Sequence, residues 1–139
     1  MSEQKEEKID VEQILEQIKS RINSMYGKTI DCDAGWHELV CKCHLELLAA
    51  DPNYEIFQIK EKFGALRYYF GTQSSDLKEF MMWKTAEKYM LLSQETCELT
   101  GKPGKLMYKE GLYKTLAEDY EKDGWQPVER VSADKIFGI

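Results

Sequence analysis

The residue types able to hold a metal or attack a substrate concentrate in one stretch, Cys41-Lys42-Cys43-His44, with His37 just upstream. Thiolate and imidazole are the ligands zinc prefers, and on a helix His37, Cys41 and His44 fall at i, i+4 and i+7, on one face. Cys43 then points away from that stripe, because Cys-x-Cys spacing on a helix cannot bring both sulfurs to one ion. The alternative is a helix with two buried thiols and two partly exposed imidazoles, and the expectation is no metal. His37, Glu38 and Cys41 also allow a Cys–His pair, but a working nucleophile needs a third, orienting group and an open pocket. Asp31 and Asp33 carry the charge for a divalent cation, yet Asp-x-Asp before a helix serves more often as a cap. A Gly-x-Ser-x-Gly elbow, a phosphate-cradling glycine loop with Lys-Ser/Thr and a His-Glu-x-x-His pair are all absent from the sequence. With no set of residues filling the catalytic roles, the chain is expected to be no enzyme and to need no cofactor.

A second cluster could bind rather than react. Lys60, Lys62 and Arg67 alternate with Phe63, Tyr68 and Tyr69, the one place where basic and aromatic residues interleave as they do on single-strand binding surfaces. The order Lys62-Phe63-Gly64 is not that of a ribonucleoprotein motif. The plainer reading pairs Glu61 with a nearby base and packs the aromatics under helices. Lys60, Lys62 and Arg67 are therefore the candidate partner-binding residues, for protein before nucleic acid.

Across 139 residues, 19 Lys and Arg stand against 25 Asp and Glu, a net charge of -6, which argues against broad charge-driven attachment to nucleic acid or anionic lipid. The length and the 42% hydrophobic content suffice for one buried core. No stretch approaches the roughly 20 apolar residues of a membrane span. The charged start, Met1 to Lys8, has no apolar run after it, so a cytoplasmic location is expected, with Cys32, Cys41, Cys43 and Cys97 as reduced thiols.

The elements that must position these residues follow from period and punctuation. Asp10-Val11-Glu12-Gln13 reads as a capping box, followed by Val11, Ile14, Leu15, Ile18, Ile22 and Met25 at helical spacing up to a stop at Gly27. Asp31, Asp33 and Gly35 mark a loop, and Trp36, Leu39, Val40, Cys43 and Leu47 form the face of a second helix that ends at Asp51-Pro52. Tyr54 to Lys60 and Ala65 to Phe70 read as a β-hairpin around Glu61-Lys62-Phe63-Gly64. Strict alternation puts Ile56, Gln58 and Lys60 on one face, Phe57 and Ile59 on the other, and opposes Leu66, Tyr68 and Phe70 to Arg67 and Tyr69. Asp76 and Glu79 open the longest helix; its apolar residues, Leu77 to Leu91, cover over half the circumference, so it is expected at the centre of the fold or else presenting a patch to a partner. After Gly101-Lys102-Pro103-Gly104, the residues Leu112, Leu116 and Tyr120 suit one last short helix closed by Gly124.

The run Lys60-Glu61-Lys62-Phe63-Gly64-Ala65-Leu66-Arg67-Tyr68-Tyr69 resembles the K-E-K-F-G-x-L-R-F/Y-Y signature of a group of small, mostly uncharacterised bacterial and bacteriophage proteins. An Asp-x-Asp-x-Gly-Trp helix start, here Asp31 to Trp36, and a knuckle, here Cys97 to Gly104, match as well, so the resemblance spans roughly residues 30 to 120. It implies a C-terminal zinc ribbon whose ligand positions correspond here to Cys97, Thr100, Ala117 and Tyr120. One thiol cannot replace four ligands, so the metal is expected to be lost and replaced by packing of Tyr120, Leu116 and Leu99. It further implies a phage or prophage accessory protein that binds and occludes a host protein in an anti-defence role. The rival is a nucleic-acid-binding domain derived from a zinc ribbon. The chain is thus expected to be a charged tail, 1–8, followed by one α+β domain, 9–139, with three main helices on a hairpin or small antiparallel sheet and a metal-free remnant of a zinc knuckle.

Overall fold

The computed structural model describes residues 9–23, 25 and 27–130. The charged segment 1–8 and the end of the expected domain, 131–139, lie outside the described residues. The protein is α+β, with helices against a mixed three-stranded sheet and a second, antiparallel three-stranded sheet.

Helix α1, Val11–Arg21, starts where the Asp10 carboxylate accepts the Gln13 amide at 3.1 Å and buries Ile14, Leu15 and Ile18. It stops short of Gly27. Ile22 leaves the helix to bridge with Ile56, and Met25, expected on the apolar face, is exposed. A two-residue strand β1, Ile30–Asp31, and a single 3₁₀ turn, Ala34–Trp36, lead into α2, His37–Ala50, which buries Val40, Cys43 and Leu47 as its period requires. It ends just before Asp51-Pro52, where Pro restrains the preceding residue to extended backbone.

Strands β2, Glu55–Lys62, and β3, Ala65–Gly71, form the expected hairpin, and β1 adds to β2 in parallel. Its loop is tighter than expected. Only Phe63 and Gly64 turn the chain, both with positive φ (51° and 75°), the backbone of a two-residue turn whose twist matches its strands. Strict alternation fails in β2: an irregular register between Ile56 and Gln58 leaves Phe57 as an extra residue, and the bulge lets both Ile56 and Ile59 face the core. Leu66, Tyr68 and Phe70 are buried as predicted.

Helix α3, Asp76–Ser93, is capped by Ser75, whose hydroxyl accepts the Lys78 amide, while Asp76 and Glu79 sit in the first turn and complement the helix dipole. It is not central. Only Met82, Tyr89 and Ser93 are buried, because α3 touches α2 and β3 along one narrow line. The Tyr89 hydroxyl and Lys88 both bond Glu46 of α2, and Ser93 Oγ accepts the Leu66 amide at 2.9 Å.

The expected last helix is replaced by a second hairpin, β4, Lys105–Lys109, and β5, Leu112–Leu116, turned by Glu110 and Gly111 with φ of 50° and 85°. Leu112 and Leu116 share helical spacing, but ladder bonds to β4 hold them in a strand, and a 3₁₀ segment, Glu118–Asp123, carries Tyr120 before Gly124 ends it at φ 95°. Strand β6, Gln126–Pro127, pairs with β4 on its other edge. Cys97, Met107, Leu116 and Ala117 make a small second core beside the main one.

Candidate functional site

In β2 and β3, Lys60 stands directly opposite Arg67 and Lys62 opposite Ala65. Period-two alternation places Lys60, Lys62, Arg67 and Tyr69 on the face turned away from α1 and α2. Glu61, expected to pair with one of these bases, instead accepts the Gly64 amide at 2.7 Å and helps close the turn. Lys62 Nζ lies 6.0 Å from the centre of the Phe63 ring. None of the salt bridges among the described residues involves Lys60, Lys62 or Arg67.

Arg67 forms the floor of a groove of about 330 Å³ between β3 and α3, walled by Leu66, Tyr69, Phe80, Trp83 and Met90. One Nη–H reaches Met90 Sδ at 3.6 Å, and its Nε is buried without any hydrogen-bond partner. Of the guanidinium's donors, the Nε–H is the one closed off from solvent with no acceptor among the described residues. At the mouth, Glu87 is engaged by Lys84 at 3.2 Å. Trp83 meets the buried Phe70 ring in a tilted contact with centroids 5.0 Å apart yet stays 48% exposed, and Leu77, Phe80 and Met81 are more than half exposed.

Arg130, which no sequence signal singled out, joins this group. Val128 donates to Leu106 after β6, returning the chain so that Arg130 donates to the Phe63 and Gly64 carbonyls at 3.2 and 3.4 Å. Burial and then the Arg67 charge lower its pKa, so the two guanidiniums feel one another.

The residues first considered for metal or nucleophilic chemistry do not converge. His37 Nε2 lies 3.2 Å from the Cys32 carbonyl, Cys41 Sγ donates to Val11, and His44 is buried rather than partly exposed, its Nδ1 2.5 Å from the Tyr54 hydroxyl. Burial pushes the Cys32 and Cys41 thiols up to about 12 and Cys43 upward as well, with nearby carboxylates adding to each, so none is a thiolate at neutral pH. Asp33 does not cap through its side chain; its carboxylate lies 3.9 Å from Lys114 Nζ, and its amide donates to the Glu98 carboxylate at 3.1 Å. Among the described residues no group of three or more His, Cys, Asp and Glu is placed to hold a metal ion.

The knuckle positions do come together. Burial raises the Cys97 pKa, but the Thr100 hydroxyl and the amides of Thr100, Ala117 and Leu99 bond its sulfur and outweigh that, leaving the thiol below its usual value. Tyr120 packs on the same core. One thiol with a hydroxyl, a methyl and a phenol does not fit zinc. Leu116 and Tyr120 fill the space as expected, whereas Leu99 is exposed: its amide turns toward the sulfur, and its side chain outward. Met107 and Trp125 complete the packing.

No family model, curated protein or solved structure matches the chain.

The β3–α3 face joins exposed aromatic and aliphatic side chains to Arg67, which has no salt bridge among the described residues, and no helix among the described residues is long and apolar enough to cross a membrane.

Proposed function

We propose that this chain is a non-catalytic protein-binding module whose docking face is the β3–α3 groove and the exposed side of α3 around it. The observation that carries the reading is the run Leu77, Phe80, Met81 and Trp83, each close to half exposed or more, beside a groove floored by Arg67. Large apolar side chains grouped on a surface are costly in water and mark interaction sites more often than they occur idly. The resemblance of residues 60–69 to small phage and bacterial proteins supports a cytoplasmic accessory role, in which the chain covers a host protein's working surface. Lys60, Lys62 and Arg67 supply the polar contacts.

Replacing both Phe80 and Met81 by Ser tests this. A bacterial protein captured by the wild type at 0.1 M and 0.5 M salt should be lost by at least tenfold with the double variant, while the thermal midpoint stays within a few degrees, because neither side chain is in the core. The grouping of Lys60, Lys62, Arg67 and Arg130 beside aromatic rings favours a second reading, single-stranded nucleic acid. Recovery of nucleic acid alone, and only at low salt, would move the assignment there.

A further inference from the structure

We propose that the β3–α3 groove selects a carboxylate next to an aromatic or branched apolar group, that is, an Asp or Glu neighbouring a Phe, Leu or similar residue in a peptide segment of a protein partner, with the carboxylate seated on the Arg67 guanidinium. This rests on the docking role given to that face and names what the face recognises.

Arg67 is held in an unusual state for a cation. Its Nε–H is buried with no acceptor, and its one polar contact is the soft thioether of Met90 at 3.6 Å. A buried donor that meets neither water nor an acceptor is costly, and a charged one more so. Two further cations lie near it, outside the groove lining: Lys60, directly across the strand pair, and Arg130, tied to the Phe63 and Gly64 carbonyls and sensing the Arg67 charge. Like charges facing each other across a sheet are destabilising. The one carboxylate lining the groove, Glu87, is taken by Lys84 at 3.2 Å. Among the described residues an arriving anion therefore displaces no carboxylate from Arg67.

Shape and chemistry narrow the anion to a carboxylate on an apolar carrier. The guanidinium fork matches a carboxylate by two parallel N–H···O bonds. Around it the groove is walled by Tyr69, Phe80, Trp83 and Met90, which accept a ring or a branched aliphatic chain and exclude water from the ion pair. A polyanion fits less well. Along α3 the exposed Lys84 and Lys88 are engaged by Glu87 and Glu46, Lys78 lies within reach of the Asp51 charge, and the whole chain carries a net charge of -6. Beyond Arg67 a nucleic-acid strand would find its phosphates competing with the carboxylates that these lysines already face.

The test follows the Arg67 Nε–H and Trp83 indole N–H signals by nuclear magnetic resonance in the full chain, titrated with 3-phenylpropionate, with its neutral analogue 3-phenylpropionamide, and with a ten-residue oligothymidylate at 0.15 M salt. Both signals are expected to move with the carboxylate, which should bind about tenfold or more tightly than the amide. Arg67→Gln, checked for an unchanged amide spectrum elsewhere, should abolish that preference, and Arg67→Lys, which keeps the charge but not the fork, should retain only part of it. Equal binding of carboxylate and amide would overturn the inference while leaving the docking face intact. Silence of both signals toward either compound would overturn it as well, with the docking role still decided separately by the Phe80 and Met81 variant. Movement of the two signals by the oligonucleotide at lower concentration than by the carboxylate would overturn it in favour of nucleic acid.

Discussion

His44 shows how far one residue's chemistry depends on neighbours distant in sequence. Its imidazole is buried in the main core and joins the Tyr54 hydroxyl at 2.5 Å, which in turn meets the Tyr68 hydroxyl at 2.8 Å. Burial first, and then the charge of Arg21, hold it at about 4, so the folded protein keeps it neutral at pH 5 and above. The unfolded chain takes up that proton near the ordinary value of about 6.5. Between about 6.5 and about 4 the unfolded state therefore binds more protons, and stability falls as the pH falls, by on the order of 2 kcal/mol from this group alone. Thermal midpoints measured across that range should drop for the wild type and drop less for His44→Gln; parallel curves would remove His44 from the account. Helical spacing grouped His44 with His37 and Cys41. Tyr54, which claims it, lies 10 positions away just before β2, and Tyr68, which bonds Tyr54, lies 24 positions away in β3, and no local pattern links them.

Among the elements, the two hairpins make an instructive pair. The first was legible because aromatic and β-branched residues flank Gly64. The second has the same two-residue positive-φ turn at Glu110-Gly111, a signal of the same kind, but the helical spacing of Leu112, Leu116 and Tyr120 masked it. Only the ladder to β4, with β6 on its far side, separates a strand from a helix here. That hairpin, the knuckle at Cys97 and the 3₁₀ segment beginning after Ala117 form a frame around the Cys97 sulfur. If the frame is that of a zinc ribbon, supplying donors should complete a site: Thr100→Cys, Ala117→Cys and Tyr120→His together with native Cys97 should bind about one equivalent of zinc and raise the thermal midpoint by several degrees when the metal is added. Elemental analysis of the variant beside the wild type decides it, and an absence of zinc from the variant would count against a ribbon origin.

At the scale of the molecule, two cores are held together by a small polar joint. Gly35 and Asp33 donate backbone N–H bonds to the Glu98 carbonyl and carboxylate, and the Trp36 indole donates to the Thr96 carbonyl at 2.8 Å. Glu98 itself is buried, with Lys114 at 3.3 Å; burial raises its pKa, while the Asp33 amide and Lys114 oppose that shift. A Cβ at Gly35 would collide with the carbonyl oxygens of Cys97 and Glu98, so the glycine is required by space rather than by φ. Gly35→Ala should cost about 3 kcal/mol by forcing the joint apart. In urea the indole signals of Trp36 and Trp125, one beside each core, should share a midpoint in the wild type and fall to lower urea, or separate, in the variant. An unchanged midpoint would mean that the cores are not coupled through this contact.

The order and type of most elements were settled by the sequence alone, since capping at Asp10, helical periodicity through Trp36 to Leu47, the break at Asp51-Pro52 and the aromatic strands around Gly64 are local signals backed by local energetics. The cationic group was half visible: Lys60, Lys62 and Arg67 stood out, Arg130 did not. Tertiary structure alone decided which apolar residues are core. The same content that covers α3 could have placed it centrally, but β3 and α2 had already buried their faces, leaving Leu77, Phe80, Met81 and Trp83 to solvent. It also decided that Arg67 should lie beside Phe80 and Trp83 with no salt bridge among the described residues, because burial and pairing are properties of the space between elements and not of the residues within one.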